Sequence, residues 1–256
     1  MEIKQTTLKN GLRVITAERP QIESVSLGIW VNTGSALETK EDNGISHFIE
    51  HMVFKGTKKR NSLQISEDIE NAGGATNAYT SRHFTCFYAK MLKNDLELAA
   101  DVICDFITSP TFDAKEMKKE KEVVVQEIKQ SNDSPDDLVF DYFQEAAFPN
   151  QATGRTILGP IDNVRGFNAK RMRQYMKTHY AAENMVAVAV GNVNHEAFVK
   201  KYTLPIAAVA GIYWFAHVMR GDYLEMWTRF YAGYEVAFLT AIAGTFLICQ
   251  FAMMLE

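Results

Sequence analysis

At 256 residues with 47% apolar side chains, the chain has material for one large domain, or for one domain and a distinct tail. A net charge of −4 argues against the basic surface that general nucleic-acid binding needs, so no nucleic acid is expected as partner. Cys86, Cys104 and Cys249 are widely spaced and form no CxxC pair, which excludes a disulfide framework and suits a reducing compartment. The first ten residues, MEIKQTTLKN, carry no apolar run and no basic amphipathic pattern, so no signal peptide is expected.

In chain order, Ile3–Thr7 and Arg13–Glu18 flank the turn signal Lys9-Asn10-Gly11 and predict a hairpin. Ser24–Asn32 alternates Val25, Leu27, Ile29 and Val31 on one face and predicts a strand. Asn43-Gly44 opens a helix carrying His47-Phe-Ile-Glu50-His51, and Ser62–Asn71 reads as a second helix ended by Gly73-Gly74. Thr76–Thr80 and His83–Met91 predict paired strands joined by a tight turn. Asp95–Thr108 is an amphipathic helix stopped by Ser109-Pro110, and Asp113 caps a long charged helix reaching about Gln130. Helices over Pro135–Ala147 and Ala169–His179 and a buried strand over Met185–Val190 follow. The fold class expected is α+β: a mixed or largely antiparallel β-sheet flanked by helices.

The chain changes character near Lys201. Asp, Glu, Lys and Arg are absent from Tyr202 to Met219 and again from Val236 to Leu255. Two such runs read either as buried helices of a soluble core or as a membrane hairpin. Their length and all-round apolarity favour an apolar helical hairpin that anchors the chain through residues 202–255. Between them Tyr223, Trp227, Phe230, Tyr231 and Tyr234 recur at helical spacing, as in a helix lying among headgroups. The expected division is thus a domain over residues 1–201 and a tail over 202–256. Without a signal peptide the domain is expected at the cytoplasmic face of a membrane.

On a helix His47 and His51, four apart, share one face and can aim imidazole nitrogens at a single ion. Glu50 can overhang the same point without being a ligand, placed to take a proton from a water on the metal and pass it to a leaving amine. A third ligand must come from elsewhere. The charged helix after Asp113 offers Glu116, Glu120 and Glu127 close to one line, with Glu122 rotated away; helical geometry alone does not rank the three. The bland alternative is a pair of hydrogen-bonded histidines on a half-buried helix.

HFIEH resembles the inverted zinc motif H-x-x-E-H of the pitrilysin-like (M16) metallopeptidases. WVNTGSALE, GISHFIEHMVFKGTKKR, ENAGGATNAYTSR, EVVVQEIKQ, SPDDLVFDYFQEAAFP and GRTILGPIDNV extend the similarity to the processing-peptidase branch, over residues 3 to about 200. The resemblance implies zinc held by His47, His51 and Glu127, catalysis by Glu50, and Glu120 supporting a ligating imidazole. It further implies that Asn77 and Ala78 lie on an edge strand that pairs with the substrate backbone. Asp137 and Asp141 match acidic positions that meet an arginine near the cleavage site, Asp137 being shorter than the usual Glu. His83 stands where relatives commonly carry Glu and is expected to be a half-exposed strand residue.

Beyond Lys201 the similarity stops where the resemblance implies the end of the first domain and then a second domain of the family. A natural membrane fusion, a frameshift and an engineered join are the competing origins of the tail. The activity expected is zinc-dependent endoproteolysis of extended or presequence-like peptides, weak unless a partner chain supplies the second domain. The rival readings are a membrane-anchored, non-hydrolytic peptide-binding module and an inactive fragment or chimera.

Overall fold

The computed structural model describes residues 2–201. Six strands form one mixed sheet in the order β1-β2-β6-β3-β5-β4. They are β1 (Ile3–Thr7), β2 (Arg13–Glu18), β3 (Ser24–Val31), β4 (Ala75–Thr80), β5 (Thr85–Leu92) and β6 (Met185–Gly191). Only β2 and β6 run parallel; every other neighbouring pair is antiparallel. The expected strands are therefore present, and the alternation read in Ser24–Asn32 puts Val25, Leu27, Ile29 and Val31 in the core.

Among the described residues the helices with both ends defined are α1 (Ile45–Val53), α2 (Ser62–Glu70), α3 (Leu96–Thr108), α4 (Ala114–Asp133), α5 (Pro135–Ala147), α6 (Ile161–Gly166) and α7 (Ala169–His179). Apolar side chains of α1 (Phe48, Ile49, Met52) and α3 (Val102, Ile103, Phe106) join those of β3 and β5 in one continuous core. Asp113 caps α4 as its sequence position implies, with Oδ1 accepting from the Lys115 and Glu116 amides at 2.9 and 3.1 Å. Arg60 ties the exit of α1 to α2 and α3, donating to Asp68 at 2.7 Å, Asp101 at 2.6 Å and Asp105 at 3.2 Å.

Three details differ from the sequence expectation. His83 is an exposed turn residue and not part of a strand, because Ser81 Oγ accepts from the amides of His83 and Phe84 and holds the chain in a turn up to Thr85. Helix α6 has only six residues, too few to show a period. Helix α5 lies where expected yet buries none of its residues, leaving Val139, Phe140, Tyr142 and Phe143 exposed. The apolar runs, the expected hairpin and its membrane attachment fall outside the described residues. Among the described residues no helix is long and apolar enough to cross a membrane.

Candidate metal centre and its cleft

Helix α1 begins at Gly44, whose φ of 96° is a left-handed conformation that glycine adopts freely. Its first turn is capped by a residue outside the helix. The buried Glu38 carboxylate accepts from the Gly44 amide at 2.8 Å, the Ser46 amide at 2.9 Å and Asn43 Nδ2 at 3.1 Å. A negative charge at a helix N-terminus satisfies open amides and complements the helix dipole. The 154–164 segment presses on the same turn: at Gly159, with φ of 71°, an added Cβ would stand 2.3 Å from the Asn43 carbonyl oxygen. The two glycines let backbone meet backbone, which fixes where α1 starts and so where its histidines point.

His47 Nε2 and His51 Nε2 lie 3.2 Å apart. Glu127, on α4, brings Oε1 to 3.6 Å from His47 Nε2 and Oε2 to 3.4 Å from His51 Nε2. Two ligand atoms each 2.0–2.1 Å from one tetrahedral ion stand about 3.3 Å apart. All three separations are close to that value, so the donor set fits a small divalent metal. Glu116 is not part of it; it pairs with Lys119 at 2.7 Å near the start of α4. Glu122 is exposed. Of the three acids on one line, Glu120 is nearly buried and serves otherwise: Oε1 accepts from His51 Nδ1 at 2.9 Å and Oε2 from Lys55 Nζ at 2.8 Å. That contact fixes the His51 tautomer with Nε2 toward the ligand point. His47 Nδ1 is buried and meets no partner among the described residues, so packing and the contacts of its Nε2 with His51 and Glu127 orient that ring.

The charges of the site differ from residue to residue. Burial, aided by the neighbouring His51 charge, pulls His47 down to about 4, so this imidazole is neutral at pH 7. Burial also opposes the charge on His51, but hydrogen bonds to Glu120 and Glu127 outweigh it and lift the group to about 9. For the side chains by themselves, a proton on His51 Nε2 thus lies between the three groups that would surround a cation. Glu127 is held below its ordinary value first by its hydrogen bond from His51; burial opposes this. Glu120 is also held low: burial raises it, and the His51 and Lys55 contacts prevail.

Glu50 turns toward the same cleft, of about 400 Å³, which His47, Glu127, Tyr79, Thr80, Asp137 and Asp141 also line. Its Oε2 accepts from Thr80 Oγ1 at 2.5 Å. Burial raises the Glu50 pKa although the Thr80 bond works against it, making the carboxylate a stronger base than an exposed one. Among the described residues β4 pairs with β5 alone, so its outer edge has no strand neighbour there. On it Asn77 is exposed and Ala78 is buried, and the Ala78 amide donates to Asn77 Oδ1 at 2.8 Å. Asp137 is exposed and unpaired among the described residues. Asp141 instead accepts from Arg82 Nη2 at 2.9 Å, and Arg82 Nε donates to the Thr153 carbonyl at 3.2 Å.

The structure therefore brings His47, His51, Glu127, Glu120 and Glu50 together and sets Asp137 and Asp141 on the same cleft, whereas Asn77 and Ala78 lie on β4 outside its lining, two to three residues before Thr80. Sequence reading assigned no role to Glu38, Thr80 or Lys55. The signal for Lys55 was its place four residues after His51, one turn further on; Glu38 lies just before the turn it caps but outside any helical spacing, and Thr80 is distant in sequence from Glu50.

Comparison with known proteins agrees with this geometry. The family model described as insulinase (peptidase family M16) matches residues 13–161, and that of the peptidase M16 inactive domain matches residues 166–203. The chain is 43% identical over 198 residues to the uncharacterized zinc protease YmxG of Bacillus subtilis, covering 77% of this chain and 48% of that protein. It is 40% identical over 195 residues to the mitochondrial-processing peptidase subunit beta of Bos taurus, covering 76% of this chain and 40% of the subunit. The chain thus spans less than half the length of these curated relatives. A solved protease from Helicobacter pylori superposes with a TM-score of 0.76 at 23% identity, over 81% of this chain and 50% of that one. The peptidase M16 inactive domain from Pseudomonas fluorescens shares the fold with a TM-score of 0.74 at 15% identity, over 82% of this chain and 50% of its own. With the family model covering more than half of its residues, the chain belongs to the insulinase family of peptidases, M16.

Proposed function

We propose that residues 1–201 are the catalytic half of a zinc-dependent endopeptidase that cleaves extended or presequence-like peptides. The observation that carries this reading is the meeting of His47, His51 and Glu127 around one point, with the Glu50 carboxylate in the same cleft. His47 Nε2, His51 Nε2 and a Glu127 carboxylate oxygen hold the zinc. Bound there, zinc supplies Lewis acidity toward water and the scissile carbonyl. Glu50 Oε1, the oxygen not engaged by Thr80, accepts a proton from the water as its oxygen attacks the carbonyl carbon. Glu50 then returns that proton to the amide nitrogen as the C–N bond breaks. The open edge of β4, at Asn77 and Ala78, receives the peptide backbone as an added strand. Asp137 offers a free carboxylate to an arginine near the cut, whereas Asp141 is held by Arg82.

A second family domain completes the enzyme, in a partner chain. The match of residues 166–203 to the peptidase M16 inactive domain supports that reading. With part of the substrate-holding surface supplied elsewhere, the isolated chain is weakly active.

The test is zinc content by elemental analysis together with hydrolysis of a fluorogenic basic peptide by the full chain and by Glu50→Gln. About one zinc per chain, and a slow rate that Glu50→Gln abolishes, are expected. Equal rates for the two proteins would overturn the enzymatic reading for this chain. Retained peptide binding alongside equal rates would favour the non-hydrolytic peptide-binding module.

A further inference from the structure

Glu50 stands on α1, but the atom that holds it belongs to the sheet. Three rotatable bonds separate its carboxylate from the helix, and one side chain, Thr80, bonds it at 2.5 Å. Thr80 is the last residue of β4. It is opposite Thr85 in the β4–β5 ladder, and Thr85 Oγ1 is in turn anchored on the Thr33 carbonyl at 2.9 Å. A β-branched side chain in a strand has little freedom at χ1, so the hydroxyl is a fixed donor on a fixed backbone.

Two consequences follow from that placement. The bond commits Oε2 to Thr80 and leaves Oε1 as the oxygen able to exchange a proton. It also ties the base to the strand whose open edge carries Asn77 and Ala78, only two to three residues earlier. Peptide backbone and catalytic carboxylate are thereby registered by one element, without a contact between them being needed.

We propose that Thr80 is the positioning residue for Glu50, aligning the base with the peptide through β4. The proposal rests on the peptidase reading above for its catalytic consequence, and on the hydrogen bond for its geometry.

Thr80→Val keeps the shape and removes the hydroxyl donor, leaving only the backbone bond from Thr80 to Glu50, while Thr80→Ser restores the hydroxyl. With the full chain loaded with zinc, Thr80→Val lowers kcat by roughly tenfold to a hundredfold, the cost of a misplaced reacting group, and leaves KM and zinc content unchanged. Thr80→Ser recovers most of the lost rate. A Thr80→Val enzyme with the wild-type kcat overturns the proposal. So does an equal loss in both variants accompanied by a raised KM, which marks a structural role. If wild type is no faster than Glu50→Gln, the peptidase reading fails, and the ¹³Cδ resonance of Glu50 in selectively labelled protein decides the positioning role. That resonance moves in Thr80→Val and stays near its wild-type position in Thr80→Ser; an unmoved resonance in Thr80→Val overturns the proposal.

Discussion

Replacing Glu120 by Gln tests how the site holds its metal. The substitution keeps the shape of a nearly buried side chain, but it removes the charge that His51 and Lys55 share. Outer partners of ligating histidines contribute about ten- to a hundredfold to metal affinity. The same carboxylate also works against the metal, since it helps hold a proton on His51 up to about 9. At pH 7, two pH units below that value, the proton opposes metal binding by roughly 3 kcal/mol. His47, already neutral at pH 7, gives up no proton. Zinc binding at pH 7 should therefore release about one proton per chain, and wild-type affinity should rise about tenfold per pH unit until His51 deprotonates near 9. In Glu120→Gln the slope and the proton release should both shrink, so the affinity gap between the two proteins widens as pH rises. Competition with a chromophoric chelator at pH 6.5, 7.5 and 8.5 reads the affinities, and calorimetry in buffers of different ionisation enthalpy reads the protons. Parallel pH slopes for the two proteins, with no proton released from wild type, would refute a His51 proton held by Glu120 and displaced by the metal.

Three further outcomes follow from the same contacts. In the metal-free chain the raised His51 adds stability that is fully present below its unfolded value of 6.5 and is lost as pH rises through about 9. Tm of the chelator-treated chain should fall across that window, and a flat profile would count against the His51–Glu120 pairing. Glu38→Ala leaves the Gly44 and Ser46 amides without their acceptor and should cost roughly 2–3 kcal/mol in urea denaturation, Glu38→Gln distinctly less. Gly159→Ala forces a Cβ into the Asn43 carbonyl at a left-handed φ; a loss of about 2 kcal/mol or more is expected, and no change in the urea midpoint would mean that the 154–164 segment does not brace α1.

The spacing of His47 and His51 was legible because a helix repeats every 3.6 residues and four steps return to one face. The candidate third ligand was not legible from spacing, because helical phase gives direction but not height along α4. Glu116, Glu120 and Glu127 share a direction, and their assignment waits on how α4 lies across α1. In the structure Glu120 meets the far nitrogen of His51 and Glu127 meets the near nitrogens of both rings. The strands were legible to within one or two residues from alternation and turn residues. The turn at Ser81–Phe84 was read too short, since a side-chain hydroxyl bonding two amides leaves no hydrophobic signature. Least visible of all were pairings outside any regular spacing: Glu38 with the nearby α1 turn, and, between distant segments, Arg82 with Asp141 and Thr80 with Glu50.

Those unread pairings have something in common that the motif does not show. HFIEH supplies the candidate ligand pair and base, yet the start of their helix, His51 and Glu50 each depend on a charge or donor from outside it. Glu38 sets where α1 begins, Glu120 sets the tautomer of His51, and Thr80 sets the orientation of Glu50. A helix carrying the same five residues but lacking these contacts would leave the His51 imidazole and the Glu50 carboxylate free among several rotamers. A bound metal could then order the histidines by itself, but it would not order Glu50, which is not a ligand. The chemistry therefore depends more on the sheet than the motif suggests, and the strand bearing the open edge is the one that holds the base.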